Sequence, residues 1–225
     1  MQKNYGKRIG LCVLALCLYG FGNFLGVKAG GAGTNAWNTL NLGLAGKTGF
    51  SFGTINMIVG LVIIAIDFLG KGKIGLGTIL NMFVISVATD VYLRVLSFWP
   101  AAENGVLGAI LTLAGQTVSS FATILYMKPA LGCGPRDTLL VGLAKRTRRL
   151  PIGGVSIALL STATLIGWLL GGPVGAGTLI CAFATGPIMQ AAFRSVRFDA
   201  TTIRHQRLAE TAGVFGIIRR RKAEV

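Results

Sequence analysis

The 225-residue chain has one histidine, His205, and only seven acidic residues. A single imidazole in a basic tail cannot build a histidine ligand cluster or a Ser-His or Cys-His triad. No nucleophile–base motif replaces them, so an enzyme is not expected. The four cysteines follow neither metal nor disulfide spacing. Cys12, Cys17 and Cys181 lie inside apolar runs, and Cys133 stands in a glycine-rich loop. They read as small hydrophobes, and neither a metal nor another cofactor is expected. Nucleotide chemistry is lacking too. "NLGLAGKT" (41–48) misses a phosphate-binding loop by one residue, because Asn41 stands where the first glycine is needed to wrap the anion. Without such a loop the chain cannot drive transport with ATP by itself.

Charge is also scarce: 13% of residues are charged, against about 25% in a soluble domain. What fills the chain is apolar, 52% of residues, with mean hydropathy +0.67. Apolar blocks at 9–27, 53–70, 74–93, 105–127, 152–170 and 174–193 each approach the roughly 20 residues that cross a bilayer core. Such blocks exclude an outer-membrane barrel, whose strands alternate and are only about ten residues long. A polytopic, all-α membrane protein is the class that remains.

The net charge of +15 could point to nucleic acid, but its placement argues otherwise. Eight of the 22 Lys and Arg fall in 194–225, four in "KRTRR" (145–149) and three in the first eight residues. Loops and ends are where the positive-inside rule puts basic residues. The tail 205–225 reads as a basic, solvated cytoplasmic topology signal, with an interfacial segment on anionic lipid as the alternative. The N-terminus imitates a signal peptide, with Lys3, Lys7 and Arg8 ahead of an apolar stretch. That stretch runs about 19 residues, longer than an h-region of about 7–15, and reads as a retained span.

Two glycine-rich polar stretches interrupt the apolar pattern, "GAGTNAWNTL" (31–40) and "GCGPRDTLL" (132–140). They are one element, repeated. At an offset of 100, Phe21/Phe121, Leu25/Leu125, Gly53/Gly153, Gly75/Gly175, Gly77/Gly177 and Thr78/Thr178 coincide. Between them the offset slips to 99 and aligns Thr39/Thr138, Leu40/Leu139 and Gly43/Gly142. The ordered run "KIGLGT" against "PVGAGT" goes beyond shared composition. The chain therefore reads as one transmembrane domain, 1–204, made of two repeats, 8–95 and 105–195, joined by "FWPAAENG".

Each repeat reads as long span, glycine-rich break, short helix, then two more long spans. The short helices, about 35–46 and 135–146, reach only about 18 Å, too little for a core of about 30 Å. If they are re-entrant, the chain makes six crossings and the repeats are inverted. The cytoplasm then holds the N-terminus, 71–73, 128–149 and the tail, with 19 of the 22 basic residues. The alternative is eight spans with parallel repeats, which places 17 there. Charge favours six. Both arrangements put both termini in the cytoplasm, in the cell inner membrane. "GNFLG" (22–26) and "GWLLG" (167–171) fit the small-residue spacing of close helix packing.

Ionisable groups at membrane depth are expensive and point to function. Arg136 and Asp137 open the second short helix, and adjacent helical residues do not face each other. They are not a private pair. In the first short helix Asn35, Asn38 and Asn41 form a polar stripe, with Trp37 on the apolar one. Asn35, Trp37, Asn38, Arg136 and Asp137 are the candidate substrate-binding residues. Asp90, at the end of the third span one turn after Ser86, and Asn81, mid-span, are candidates for ion or proton coupling. Asp67 reads instead as an i,i+4 partner of Lys71.

Taken together, "GAGTNAWNTL…GKTGFSFGT", "KIGLGTILN…D", "GCGPRDTLLVGL" and "GWLLGGPVGAGT" resemble the YczE/YyaS/YitT-like family of bacterial integral membrane proteins, over about 20–195. "GPRDTL" and "GWLLGG" are the most specific blocks. The family usually shows Pro-Trp-Asp in the first repeat, where this chain has Ala36-Trp37-Asn38 and loses an acidic group; the second repeat keeps Pro135-Arg136-Asp137. The resemblance implies the membrane class and its topology. Duplication, broken helices and polar groups between the repeats are how many carriers build a midplane site. The expected function is a small secondary transporter or exporter of a polar or anionic small molecule. The alternative is a non-transporting accessory or scaffold protein. The expected partners are a small-molecule solute, membrane lipids and a second copy of the chain in a homo-oligomer, with no nucleic acid.

Overall fold

A computed structural model describes residues 5–70, 72, 74–147, 152–198, 206 and 208. Among these residues there are eight α-helices and one 3-10 turn. The helices are α1 (Tyr5–Lys28), α2 (Ala36–Thr48), α3 (Phe52–Leu69), α4 (Leu76–Val95), α5 (Gly105–Met127), α6 (Pro135–Arg146), α7 (Ile152–Leu169) and α8 (Ala176–Ser195). Five of them, α1, α3, α4, α5 and α8, are long and apolar enough to cross a membrane, and α7 is apolar over the slightly shorter Gly153–Leu169. The chain is a polytopic helical membrane protein. Lys3, Lys71, Lys73, Arg148, Arg149, His205 and nearly all of the tail 205–225 lie outside the described residues, so the Asp67–Lys71 pairing does too.

The two short helices start and stop for local reasons. Asn35 caps α2, its side-chain oxygen accepting from the Asn38 N–H at 3.0 Å. Gly49 ends it in the left-handed conformation, φ +76°, donating to the Ala45 carbonyl. Such a cap favours glycine, which has no Cβ to clash. Pro135 opens α6 at a position where a missing N–H does no harm. At 13 and 12 residues these helices reach about 20 Å and 18 Å.

The direction of each helix follows from what it touches. Arg8 on α1 donates to the Pro129 carbonyl after α5, while Gly22 on α1 faces Gly115 and Ser119 on α5. The two central helices are therefore antiparallel. Helix α4 runs parallel to α1, with Gly20 against Ala88 and Thr89, and Phe21 and Phe24 against Tyr92. The start of α1 and the end of α5 mark the terminus end of the bundle, where Gln206 also donates its N–H to the Ala130 carbonyl at 2.9 Å. Lys28 and Trp99, joined by a hydrogen bond from the Lys28 ammonium to the Trp99 carbonyl, mark the far end.

Neither short helix runs the length of the bundle. Asn38 of α2 lies beside Gly26 on α1, and α2 leads through Gly49–Ser51 to α3, whose first turn touches Asp90 at the far end. Helix α6 begins beside Asn81 and reaches Gly142 beside Asp67, at the terminus end. Each short helix thus starts inside the bundle and leaves by the end its loop came from. Helix α7 then runs to Gly167 beside Leu40 of α2, and α8 begins at Gly175 beside Ala32.

The loops that bring the chain back into the bundle are buried against helix starts. At the break before α6, Gly77 donates its N–H to the Leu131 carbonyl at 2.9 Å, and Thr78 donates its hydroxyl to the Cys133 carbonyl at 2.7 Å. At the break before α2, Thr112 donates to the Gly33 carbonyl at 3.0 Å. Gly33 sits at φ +85°, and a Cβ there would stand 2.6 Å from the Gly175 nitrogen. Both the conformation and the close approach require glycine. The contacts recur in matching pairs: α1 with α4 and α5 with α8, α2 with α7 and α6 with α3. The largest unmatched pairing among the described residues is that of α3 on α4: α7 and α8 make no comparable contact there.

Close packing of α1 on α5 rests on small residues, since lipid supplies no hydrophobic drive between helices. A Cβ on Gly115 would stand 2.5 Å from the Gly22 carbonyl oxygen. Gly115→Ala is expected to destabilise the protein by about 1–3 kcal/mol through overpacking. Gly105→Ala, where nothing lies within 4 Å of the added carbon, is expected to melt with the parent. Thermal unfolding followed by tryptophan fluorescence in detergent compares the two.

Candidate functional site

The N-terminal ends of α2 and α6 meet inside the bundle. The Arg136 guanidinium carbon lies 4.7 Å from the centre of the Trp37 ring, within cation–π range. Its Nη2 donates to Asn56 Oδ1 on α3 at 2.6 Å. The same oxygen accepts from Asn41 Nδ2 at 2.8 Å, and Asn56 Nδ2 donates to Ser86 Oγ on α4, also at 2.8 Å. The Ser86 hydroxyl in turn donates to the Met82 carbonyl at 2.6 Å. Four elements from both parts of the chain are thereby tied to one cation. Asn56 and Ser86 are buried, so the chain of amides is well shielded. Mutual hydrogen bonds hold the geometry of a buried network of this kind, and Asn41 Oδ1 is its one buried polar atom without a partner among the described residues.

Asp137 turns the other way. Its Oδ2 accepts from the Tyr126 hydroxyl on α5 at 3.0 Å. The carboxylate is exposed even though α6 begins deep in the bundle. The surface it exposes belongs to a cavity of about 680 Å³, lined by Tyr19, Asn35, Trp37, Asn81, Gln116, Tyr126, Arg136 and Asp137 at its polar end. Further out the walls come from α7 and α8, with Ile157, Leu160, Leu165, Trp168, Leu179 and Met189. This size falls in the range of about 300–1,000 Å³ typical of small-molecule sites, and the mix of apolar wall and few polar groups is typical as well.

Of the candidate residues, Asn35, Trp37, Arg136, Asp137 and Asn81 line this one cavity. Two do not. Asn38 is fully buried beside Gly26 and Thr34, and both polar atoms of its amide lack a hydrogen-bond partner among the described residues. The cause is helical geometry: with Trp37 turned to the cavity, the next residue points about 100° away, toward α1. Asp90 stands at the end of α4, where Oδ1 accepts from the Gly53 N–H at 2.7 Å and Oδ2 from the Ser51 hydroxyl at 2.5 Å. It satisfies donors that the first turn of α3 would leave unpaired, and a carboxylate there also complements the helix dipole. Asp67 is buried at the other end of α3, with Oδ2 unpartnered among the described residues.

Sequence reasoning missed Asn56, Tyr19, Tyr126 and Gln116. Asn56 carried a signal: it is an amide inside an otherwise apolar run. The tyrosines and Gln116 carried none, since a span has several faces and only one looks into the cavity. The four cysteines are free thiols, with Cys12 and Cys181 buried.

Comparison with known proteins agrees with this architecture. The profile of DUF6198, a family of unknown function, matches residues 6–194. The chain belongs to that family. It is 33% identical over 184 residues to an uncharacterised protein of Haemophilus influenzae, covering 82% of each chain. It is 28% identical over 185 residues to the uncharacterised membrane protein YczE of Bacillus subtilis, covering 80% of each. The resemblance to YczE-like membrane proteins thus holds along the whole of the helical region. No solved structure matches.

Asn56 is the hinge of this DUF6198 site. Asn56→Leu is expected to leave the Arg136 and Asn41 donors without their shared acceptor, at a cost of about 1.5–3 kcal/mol for a hydrogen bond to a charged group. Asn56→Asp keeps an acceptor there and is expected to recover most of that loss. Melting of the two variants in the same detergent decides it; equal loss in both would mean that packing, not acceptance, is what Asn56 provides.

Proposed function

We propose that this protein is a small secondary transporter or exporter whose binding site lies where α2 and α6 meet. The observation that carries the reading is Arg136: a guanidinium held at the inner end of a re-entrant helix, facing a cavity rather than a carboxylate partner. A cation so placed selects a ligand with an anionic or strongly polar group, and the N-terminal ends of two helices add favourable field for the same charge. The inner location of both helix starts is the arrangement carriers use at a midplane site. A fully packed interior would favour the accessory or scaffold role instead, and the cavity speaks against it. Asp137, held by Tyr126, and Asn81 stand beside Arg136 as groups that can bind the solute or a coupling proton.

The matching contacts of α1–α4 with α5–α8, and of α2–α7 with α6–α3, support reading the chain as a duplication with inverted halves. In that reading the terminus end faces the cytoplasm of the cell inner membrane, where most of the basic residues then lie. A homo-oligomer is compatible with this arrangement. Glu103→Cys, in the loop joining the halves, is expected to react with an impermeant maleimide added outside whole cells, and Gly72→Cys only after permeabilisation. The reverse pattern would overturn the orientation.

Function is tested at Arg136 in reconstituted vesicles, with a panel of labelled carboxylates and phosphates. Arg136→Ala is expected to abolish flux while the purified protein keeps its elution profile. Arg136→Lys is expected to recover only part, because an ammonium lacks the planar fork that grips such groups with two hydrogen bonds. An Arg136→Ala protein that is folded and still transports would remove Arg136 from the site.

A further inference from the structure

Among the described residues the two halves differ in the fit between their last two helices. Helix α3 closes on α4: a Cβ on Gly53 would stand 2.6 Å from the Asp90 carboxyl carbon, and one on Gly60 would stand 2.7 Å from Met82 Cγ. One hundred residues on, Gly153 has nothing within 4 Å, and neither does Gly186, which corresponds to Ser86. The counterparts of Gly60 and Met82 are Leu160 and Ala182, and both line the cavity. Glycine allows close approach in the first pair of helices; in the second the approach does not happen.

The result is a slot between α7 and α8 that opens sideways. Ile157, Leu165 and Leu179 line the cavity and yet are 68%, 52% and 63% exposed. All three lie within the apolar helices, so this opening faces hydrocarbon. Ser156, Ser161, Thr164 and Thr185 line the same cavity as Arg136. Hydroxyls beside an apolar slot fit a ligand that is polar at one end and apolar along the rest.

We infer that the ligand is an anionic single-chain amphiphile taken from the bilayer, its head on Arg136 and its chain lying in the slot between α7 and α8. The inference rests on reading this cavity as the ligand site and names the class of ligand it takes. Charge complementarity with Arg136 chooses this occupant. Apolar walls give no drive to a chain that already lies in lipid, but they remove the penalty it would meet in a wet channel. Selection therefore falls to the head group.

The test uses the full protein in phosphatidylcholine vesicles and palmitate carrying a diazirine in mid-chain, photolysed and mapped by peptide mass spectrometry. Label is expected to concentrate on α7 and α8 around Ile157, Leu165 and Leu179, about tenfold over the exposed Phe83 and Val87 of α4, the weight of one charge-assisted hydrogen bond. Hexadecanol with the same diazirine is expected to give only the α4 level. Arg136→Ala is expected to fall to that level too. Because that variant also loses its bond to Asn56, Leu179→Trp serves as a second: it fills the slot without touching Arg136 and is expected to suppress label at Ile157. Equal labelling of α4 and the slot, or equal labelling by the alcohol, overturns the inference. So does a disulfide-linked dimer through Gly153→Cys or Gly186→Cys that shuts the probe out, which would give the slot to a second copy of the chain. Specific labelling without flux would keep the amphiphile site and remove transport. Flux of butyrate with no labelling by palmitate would do the opposite.

Discussion

Backbone that leaves the helical state inside a bilayer must find its hydrogen bonds within the protein, because the hydrocarbon offers none. Among the described residues this chain leaves it at 29–35 and 128–134, and each break is satisfied from elsewhere in the sequence. The start of α4 receives the second break through Gly77 and Thr78. The first lies between Thr112 of α5 and the start of α8. Glycine is present on both sides of these contacts because two backbones must approach each other directly. The breaks could not exist in either part of the chain alone, and the rest of the architecture follows from their being shared.

Once the breaks are buried, the positions of α2 and α6 are determined. Each must begin at depth and run outward, which leaves its unpaired N–H groups inside. The inner ends of the two helices converge, and Arg136 spans the space between them to reach Asn56 and Trp37. A lone guanidinium at this depth would be very costly. Here its charge is shared among an amide oxygen, an aromatic face and the cavity. Asn56 in turn is held by Asn41 and Ser86, so the cation is kept by α2, α3 and α4 together. Site and fold depend on the same few polar side chains.

Much of this was legible in the sequence, for reasons that can be named. Length and hydropathy found the long helices. The two glycine-rich stretches, with Pro135 and Gly49 as local punctuation, located the short ones to within two residues. The placement of Trp37, Arg136 and Asp137 around one cavity follows from their being at equivalent positions of two short helices that both start inside. The polar stripe of Asn35, Asn38 and Asn41 was read too simply. The three amides go to three places: Asn35 to the α2 cap and the cavity, Asn38 to the α1 side, Asn41 to Asn56. A stripe on a helix predicts a direction only when the helix has a single polar neighbour. Asp90 shows a related limit: its carboxylate accepts from the Gly53 N–H and the Ser51 hydroxyl, donors that become visible only once the start of α3 is placed beside it.

The differences between the two halves say more about function than their likeness. Under the proposed duplication, Asp137 and Tyr126 correspond to Asn38 and Gly26. In one half the pair is a carboxylate held by a phenol beside the cavity. In the other it is a neutral amide pressed against a glycine, fully buried. Likewise α3 and α4 are closed where α7 and α8 are apart. A symmetric protein of this design would carry two equal sites and two equal slots. This one has removed the charge and the tyrosine from one half and the close helix contact from the other. Among the described residues the cavity between the halves is lined by one cation, Arg136, and by exposed apolar side chains of α7 and α8, and that polarity is what a ligand with two unlike ends requires.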